Sequence, residues 1–192
     1  MKLKKFARHL YYKFIQIRFG LKIENGTRIG LNNRISGAKY FRIGKEVSIG
    51  NHCWMVCIDS YRNQLFKPSI TISDQVSIGS FACITCIDSI SIGHGCLISE
   101  YFYVSDHYHG YNPDGGLLVN QDLETKGKVK IGDNVFIGYR VSIMSGVVIG
   151  NYCVIGSHSV VNKNFPDYSM IAGAPAKLIK IYDRKLSMWV SI

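Results

Sequence analysis

The stretch YVSDHYHGYNPDGG, residues 103–116, contains the side chains best suited to proton transfer in this 192-residue chain. His107 and His109 carry imidazoles, which titrate near neutral pH and commonly serve as general bases. Because the two histidines are two residues apart, both rings can point to the same side of an extended segment. Asp106 or Glu100 is available to hold the tautomer of the ring that acts. The stretch is therefore a candidate site for acid–base chemistry.

Charge and hydropathy limit the classes of protein that this chain can be. It carries 23 Lys and Arg against 13 Asp and Glu, a net charge of +10, and 47% of its residues are hydrophobic. This composition predicts one domain with a real core and an anionic partner such as a nucleotide cofactor, nucleic acid or a phospholipid surface. No apolar run reaches the roughly 18–20 residues that span a bilayer, and the Lys-rich start lacks a cleavage site for export. We expect a cytoplasmic protein, and no nucleic-acid partner because no recognised binding module is evident.

Most of the sequence repeats with a period of six. From 131 to 166 it reads IGDNVF-IGYRVS-IMSGVV-IGNYCV-IGSHSV-VNKNFP, and each hexad opens with Ile or Val. Neither a strand, with its period of two, nor a helix, with its period of 3.6, produces this spacing. A chain that turns a corner every six residues does produce it, and three hexads then close one triangular coil. The pattern predicts stacked parallel coils whose opening residues form aliphatic ladders inside the prism.

The fifth position of each hexad lies close to a corner and accepts only modest side chains. Three of the six cysteines, Cys53, Cys96 and Cys153, occupy this position. Cys83 and Cys86 have C-x-x-C spacing, but a single such pair is a weak zinc or redox signal. We therefore expect reduced cysteines that fill repeat positions.

The phase of the hexads places every interruption on one edge of the prism. If Ile131, Ile137 and Ile143 lie on the first, second and third sides of one coil, each irregularity follows a third side. The extra residues are two after Ile35, eleven after Met55, two after Ile84 and twenty-one after Val104. Insertions that leave from one face of a repeat array usually build its binding surface. We therefore expect loops 59–70 and 105–130 to lie together, with the longer one reaching toward a neighbouring subunit.

The hexads, the histidine-bearing loop and the ending VVNKNFPDYSMIAGAPAKLIK resemble the hexapeptide-repeat acyltransferases. The small O-acetyltransferases of the galactoside, maltose, colanic-acid and O-antigen type are the most similar, over roughly residues 25–182. The resemblance implies an all-β fold, a left-handed parallel β-helix of about five to six triangular coils with an N-terminal helix and a long protruding loop. It also implies a homotrimer that transfers acetyl from acetyl-CoA to a sugar hydroxyl of a bacterial surface polysaccharide or oligosaccharide. Histidine is then the general base, and no metal is expected.

The resemblance assigns roles to particular residues. In the family the catalytic histidine lies five residues after the last aliphatic residue of its coil, which counted from Val104 is His109. His107 remains open as the base itself, as an orienting residue or as an acceptor contact. Cofactor contacts, in a groove between neighbouring subunits, are implied at Gly138, Tyr139, Gly156, Ser157, Lys163, Lys177 and Lys180. Phe136 and Tyr139 depart from the Trp and the small residue that many relatives have there.

Three alternatives stay open. A sugar-nucleotide N-acetyltransferase would differ in having an amine acceptor. The γ-class carbonic anhydrases share this prism and bind zinc through histidines, for which His52, His94 and His158 are the candidates, although the spacing of that family is not evident. A non-enzymatic β-helix scaffold would need neither the histidine-bearing loop nor the GAPAKLIK ending.

The chain divides into three predicted segments. Residues 1–22 hold seven Lys or Arg, no acid and apolar residues at helical spacing. This pattern predicts a basic amphipathic helix that caps the first coil, contacts the inner face of an anionic membrane, or does both. Residues 23–166 form the β-helix with its loop 105–130, and residues 167–192 form a C-terminal extension.

Overall fold

The computed structural model describes residues 10, 11, 14, 17, 18 and 20–192. Within this part the regular structure consists of short strands: β1 (Arg28–Ile29), β2 (Arg34–Ser36), β3 (Phe41–Ile43), β4 (Ser48–Ile49), β5 (Trp54–Cys57), β6 (Ser60–Tyr61), β7 (Gln64–Leu65), β8 (Ser69–Ile72), β9 (Ser77–Ile78), β10 (Cys83–Cys86), β11 (Ser89–Ile92), β12 (Leu97–Ile98), β13 (Tyr103–Ser105), β14 (Tyr108–His109), β15 (Leu123–Glu124), β16 (Val129–Ile131), β17 (Phe136–Ile137), β18 (Ser142–Ile143), β19 (Val148–Ile149), β20 (Val154–Ile155), β21 (Val160–Val161), β22 (Ser169–Ala172), β23 (Lys177–Asp183) and β24 (Met188–Ser191). Short 3₁₀ turns lie at Ala38–Tyr40, Pro113–Gly115 and Leu118–Asn120. The predicted all-β class is confirmed.

The strands form three parallel sheets that are the faces of a triangular prism. Face 1 has the order β3-β8-β11-β16-β19, face 2 begins β1-β4-β9-β12-β17-β20-β22, and face 3 has the order β2-β5-β10-β13-β18-β21. The chain visits faces 1, 2 and 3 in turn, so each circuit is one coil of the left-handed β-helix. We name the three edges by the faces that they join: the 1–2 edge, the 2–3 edge and the 3–1 edge.

The opening residues of the hexads form the three predicted ladders. On face 1, Ile43 pairs with Ile72, Ile72 with Ile92, and Ile92 with Ile131. Equivalent registers join Ile49 to Ile78 on face 2 and Ile84 to Val104 on face 3. These side chains are buried, and the removal of so many aliphatic groups from water is the main force that stabilises the prism. The phase inferred from the sequence is confirmed on all three faces.

The corner positions also follow the prediction. The fifth residues of the hexads are buried: Val47, Cys53, Val76, Ala82, Cys96, Val135, Val141, Val147, Cys153 and Ser159. The cysteines, all of which lie in the described part, are free thiols. Burial raises the pKa of the Cys96 thiol to about 11, as expected of a packing residue rather than a nucleophile.

The two long insertions leave the prism at the 3–1 edge and contact each other. The first contains the β6–β7 hairpin and the second contains the β14–β15 hairpin. The Gln64 side chain joins them, since its Nε2 donates to the Leu123 carbonyl at 3.0 Å and its Oε1 accepts from the Leu123 amide at 2.8 Å. Arg62 Nη1 adds a bond to Asn120 Oδ1 at 2.9 Å. The expectation that both loops lie on the same side is therefore confirmed.

The two ends of the prism are closed differently. Strand β22 continues the parallel stack of face 2 beyond residue 166, and β23 and β24 then pair antiparallel on its outer side. The helix expected over 1–22 falls mostly outside the described residues and is not seen as an element, although residues 10, 11, 14, 17 and 18 have helical backbone. Tyr11 packs against the core, and its hydroxyl donates to the Gly30 carbonyl at 3.1 Å. In the described part, no helix is long and apolar enough to cross a membrane.

Candidate active site

His107 lies where strand β13 ends and the long loop begins, at the 3–1 edge. Its Nδ1 is 3.0 Å from Asp106 Oδ1 and 3.3 Å from Ser105 Oγ. The side chain of Asp106 is fully buried and that of His107 is 10% exposed. Among the described residues no hydrogen bond involves His107 Nε2, so this nitrogen is available to a ligand. The pair has the arrangement of a histidine base oriented by a carboxylate.

The Asp106 carboxylate is held by groups of the preceding coil. Oδ1 accepts from the Ile87 amide at 2.9 Å, and Oδ2 accepts from the Asp88 amide at 2.8 Å and lies 3.1 Å from Cys86 Sγ. Burial acts to raise the pKa of Asp106, but the hydrogen bonds from His107, the two amides and the thiol outweigh it and hold the pKa below its ordinary value. Asp106 is therefore an ionised acceptor, which fixes the proton of a neutral His107 on Nδ1.

Glu100 and His109, the other candidates for acid–base chemistry, lie away from the Asp106–His107 pair. Glu100 is at the 2–3 edge, between β12 and β13, and no described contact joins it to either histidine. His109 is an exposed residue of β14, pairs with Leu123 in the hairpin and meets the Tyr61 ring edge-on with 5.6 Å between centroids. Of the two histidines, His107 contacts the buried carboxylate and His109 does not. The choice of His109 as base stays a prediction that these contacts do not support.

A pocket of about 280 Å³ opens beside His107. Its walls are Tyr103, Ser105, His107, Tyr108, Tyr111, Lys126, Met144, Ser145 and Asn162. Sequence reasoning identified only His107 among them. Met144 directly follows the third-side residue Ile143, and Asn162 directly follows Val161. The phase of the hexads would therefore have placed Met144 one coil from the histidine and Asn162 two coils from it.

Hydrogen bonds at the carbonyl of Asp106 join the start of the long loop, the end of this loop and the turn after β18. Ser145 Oγ donates to this carbonyl at 2.6 Å, and Thr125 Oγ1 donates to it as well. Ser145 Oγ also accepts from the Lys126 amide at 2.8 Å. Gly146 adopts a φ of +78°, and a Cβ at this position would lie 2.7 Å from the Lys126 carbonyl, so only glycine permits this approach. These hydrogen bonds fix the start and end of the long loop against the next coil.

The residues predicted to contact the cofactor fall into three regions of one chain. Gly138 and Tyr139 follow β17 and stack below Gly156 and Ser157, which follow β20, at the 2–3 edge. Tyr139 N donates to Ser157 Oγ at 3.2 Å. The exposed Ser157 amide has no hydrogen-bond acceptor among the described residues, which leaves a donor at this edge for a ligand.

The predicted lysines lie apart from these four residues. Lys163 is exposed at the 3–1 edge, next to Asn162 of the pocket, with its Nζ 5.6 Å from the Phe165 ring centroid. Lys177 and Lys180 belong to β23, where they pair with Ala172 and Met170 at the outer end of face 2. Of the predicted cofactor residues, one chain therefore brings only Lys163 next to the pocket.

The other histidines in the described part of the chain lie at the surface. His52 and His158 lie at the 2–3 edge in a column of rings, where His52 stacks on Phe81 at 5.1 Å and His158 meets Tyr139 edge-on at 5.5 Å. His94 lies at the 1–2 edge. Among the described residues, no group of three or more His, Cys, Asp or Glu side chains is placed to hold a metal ion.

Comparison with known proteins defines the family. The model of the bacterial transferase hexapeptide family, which has six repeats, matches residues 128–163. The chain is 35% identical over 141 residues to "Putative acetyltransferase SAV2555" of Staphylococcus aureus, an alignment that covers 65% of this chain and 69% of that protein. It is also 35% identical over 126 residues to "Putative lipopolysaccharide biosynthesis O-acetyl transferase WbbJ" of Escherichia coli. The chain belongs to the hexapeptide-repeat transferase family.

The matches differ in how much of each protein they cover. The alignment with WbbJ covers 62% of this chain and 64% of WbbJ, so the chain spans just under two thirds of that relative. Among solved structures, AntD, an N-acyltransferase of Bacillus cereus bound to dTDP and 3-hydroxybutyryl-CoA, superimposes with a TM-score of 0.70, covering 92% of this chain and 90% of AntD at 20% identity. This second likeness is one of fold, and it agrees with the left-handed β-helix of the acyltransferases.

Proposed function

We propose that this protein is an acetyl-CoA-dependent O-acetyltransferase that acetylates a sugar hydroxyl of a bacterial surface polysaccharide or oligosaccharide. The observation that carries the proposal is the buried Asp106–His107 pair beside an aromatic-lined pocket. A scaffold does not require a buried ionised carboxylate against a histidine, and burial of such a charge is costly unless it is paired and hydrogen-bonded, as Asp106 is here. The family, and the similarity to the O-acetyl transferase WbbJ, support the class of reaction.

We assign the role of general base to His107. Asp106 accepts the Nδ1 proton, so the lone pair of Nε2 is directed away from the carboxylate and is free to take the proton of an acceptor hydroxyl. As that proton leaves, the oxygen attacks the thioester carbonyl of acetyl-CoA. The tetrahedral intermediate then expels the CoA thiolate, which receives the proton from the imidazolium, and the products are an acetyl ester and free CoA. A positioned base of this kind contributes about 10²–10⁴ in rate.

The pocket suits a carbohydrate acceptor. Tyr103, Tyr108 and Tyr111 present aromatic surface that packs against the apolar faces of a sugar ring, while Asn162 and Lys126 are donors for hydroxyl groups or for a developing oxyanion. An amine acceptor, the alternative, has no specific observation in its favour, because the likeness to AntD is one of fold.

The donor substrate supplies the activated acetyl group as a thioester. The residues suited to hold it are Gly138 and Gly156, which add no side chain to the 2–3 edge, the Ser157 amide and the cations Lys177 and Lys180. Ammonium groups are effective partners for phosphates. Because acetyl-CoA is a cytoplasmic metabolite and the thiols of the chain are free, the reaction takes place in the cytoplasm. Membrane contact through residues 1–22 is a proposal that concerns residues mostly outside the described part.

The placement of these residues supports a homotrimer. The pocket lies at the 3–1 edge and the Ser157 amide at the 2–3 edge of the same chain, so a groove that contains both requires the edges of two chains. A closed ring of three chains provides three such grooves. Light scattering coupled to size-exclusion chromatography should give three times the chain mass of 21.6 kDa, and a fully active monomer would contradict this assembly.

The function is tested by acetyl transfer onto a panel of nucleotide sugars and glycan repeat units. We expect release of free CoA together with an acetylated product that mild alkali hydrolyses, as an ester requires. An acetyl group that survives the alkali would identify an amide and favour the amine alternative. Absence of transfer to every acceptor, with CoA released only by hydrolysis or not at all, would refute the proposal.

A further inference from the structure

The two residues inserted after Ile84 have a role that the β-helix itself does not require. They lie between β10 and β11 at the 3–1 edge, whereas the turn without an insertion after Ile143 contains Ser145. The extra length brings the amides of Ile87 and Asp88 to the Asp106 carboxylate of the next coil, at 2.9 and 2.8 Å. The insertion therefore forms a cradle for a buried anion, which we call the 86–88 cradle.

Cys86 completes the 86–88 cradle from below the carboxylate. Its Sγ lies 3.1 Å from Asp106 Oδ2 and 3.5 Å from the Ser69 carbonyl. Its register partner on the neighbouring strand is Cys57, also buried. The contact with Cys57, burial and the adjacent negative charge of Asp106 all raise the pKa of the Cys86 thiol far above its ordinary value. The thiol is therefore protonated, and its S–H group is a donor to the carboxylate.

We propose that Cys86 is a positioning residue which, with the amides of the 86–88 cradle, holds Asp106 and thereby sets the basicity of His107. The proposal rests on the assigned role of His107 as the base. A carboxylate that receives three hydrogen bonds from the protein shares its charge among them and attracts the imidazolium less strongly than a carboxylate with fewer donors. Loss of the thiol donor should therefore raise the pKa of His107, and a stronger donor should lower it.

Other titratable groups face the pair and remain constant in the comparison. Cys57 lies on β5 and Cys86 on β10, while Asp88 directs its amide at the carboxylate. On the open side the ring faces the pocket, whose titratable side chains are Lys126, Tyr103, Tyr108 and Tyr111. Substitution of Cys86 keeps all of these groups in place, and of them only Cys57 loses a contact with the sulfur atom at position 86.

The test measures the pKa of His107 by NMR titration of its imidazole in full-length wild type, Cys86→Ala and Cys86→Ser. Cys86→Ala should raise this pKa by about half a unit, because a thiol is a weak donor, and Cys86→Ser should lower it, because a hydroxyl is the stronger donor. The acid limb of the kcat/KM profile for acetyl transfer should move in the same direction, with little change in the KM for acetyl-CoA. Cys96→Ala is the matched control, since it deletes an equally buried thiol that bonds to the Gly132 carbonyl and not to Asp106.

The outcomes separate the two claims. If Cys86→Ala and Cys96→Ala leave the His107 pKa the same as in wild type, or shift it equally, the 86–88 cradle has no electrostatic role and the inference is wrong. If the pKa shifts as expected but no acceptor is acetylated by any form of the protein, the cradle stands and the proposed function fails. Should Cys86→Ala not fold, Cys86→Ser still decides the matter, because a His107 pKa that this variant leaves unchanged or raises contradicts the inference.

Discussion

Replacement of Asp106 by Asn tests the electrostatic half of the proposed base. The substitution keeps the shape of the side chain but removes the charge that lies 3.0 Å from His107 Nδ1. Each carboxylate oxygen accepts from a backbone amide and from either the His107 ring or the Cys86 thiol, and in asparagine one of these two oxygens becomes an NH₂ group. The imidazolium that forms during proton transfer loses its counter-charge. A hydrogen bond between charged groups contributes about 1.5–3 kcal/mol, and the mismatch with the cradle amides adds to the loss. We expect kcat to fall about 10²–10³-fold, which corresponds to about 2.7–4.1 kcal/mol.

The assay is steady-state release of free CoA with the acceptor identified in the panel. The KM for acetyl-CoA should stay nearly unchanged, because Asp106 lies beneath the ring and not at the 2–3 edge. Asp88→Asn is the matched control, since it neutralises a neighbouring carboxyl group whose side chain makes no hydrogen bond to the pair and it keeps the backbone amide that binds Asp106. A folded Asp106→Asn enzyme that retains more than about a third of the wild-type kcat would refute the reasoning. The charge would then contribute less than a tenfold change in rate.

The remaining predictions concern stability, the donor and the loop. The pKa of Asp106 is lower in the folded protein than in the unfolded chain, so its charge stabilises the fold above its ordinary pKa, and this stabilisation is lost as pH falls through the lower folded value. The difference in melting temperature between wild type and Asp106→Asn should therefore shrink below about pH 4, and a difference that persists at low pH would contradict the sign. The double variant Lys177→Ala/Lys180→Ala should raise the KM for acetyl-CoA about tenfold and change kcat less than about twofold, and salt should reduce this effect. Lys185→Ala, on the same hairpin, is the control and should have no effect. An unchanged KM in the double variant would show that these lysines do not belong to the donor site. Gln64→Ala removes both bonds to Leu123 and should increase amide hydrogen exchange over 111–124 and raise the KM for the acceptor; exchange equal to wild type would show that the two loops are not held by this side chain.

The sequence predicted the prism well because one physical requirement repeats along it. Every coil must bury an aliphatic residue on each face, so the positions of Ile43, Ile49 and Met55 and their counterparts are visible as a period, and the registers match. The same phase located the loops, since a residue count is enough to decide from which edge an insertion leaves. Where the six-residue period is interrupted, the sequence does not predict the structure in the same way.

The site depended on contacts that no period records. The family spacing favoured His109, but the ring that meets the buried carboxylate is His107, because the hairpin begins at Tyr108 and carries His109 outward. The partners of Asp106 are backbone amides of Ile87 and Asp88, and main-chain donors carry no signature in residue type. The two-residue insertion after Ile84 was the one visible signal, and only the geometry assigned it a purpose.

The identity of the base is tested most directly by kcat for acetyl transfer in His107→Ala and His109→Ala, measured side by side at saturating acetyl-CoA. The two residues lie in the same loop, so each variant is the control for the other. We predict that His107→Ala lowers kcat at least about 10²-fold while His109→Ala stays within about threefold of wild type. A crippled His109→Ala enzyme beside a nearly active His107→Ala enzyme would contradict the account.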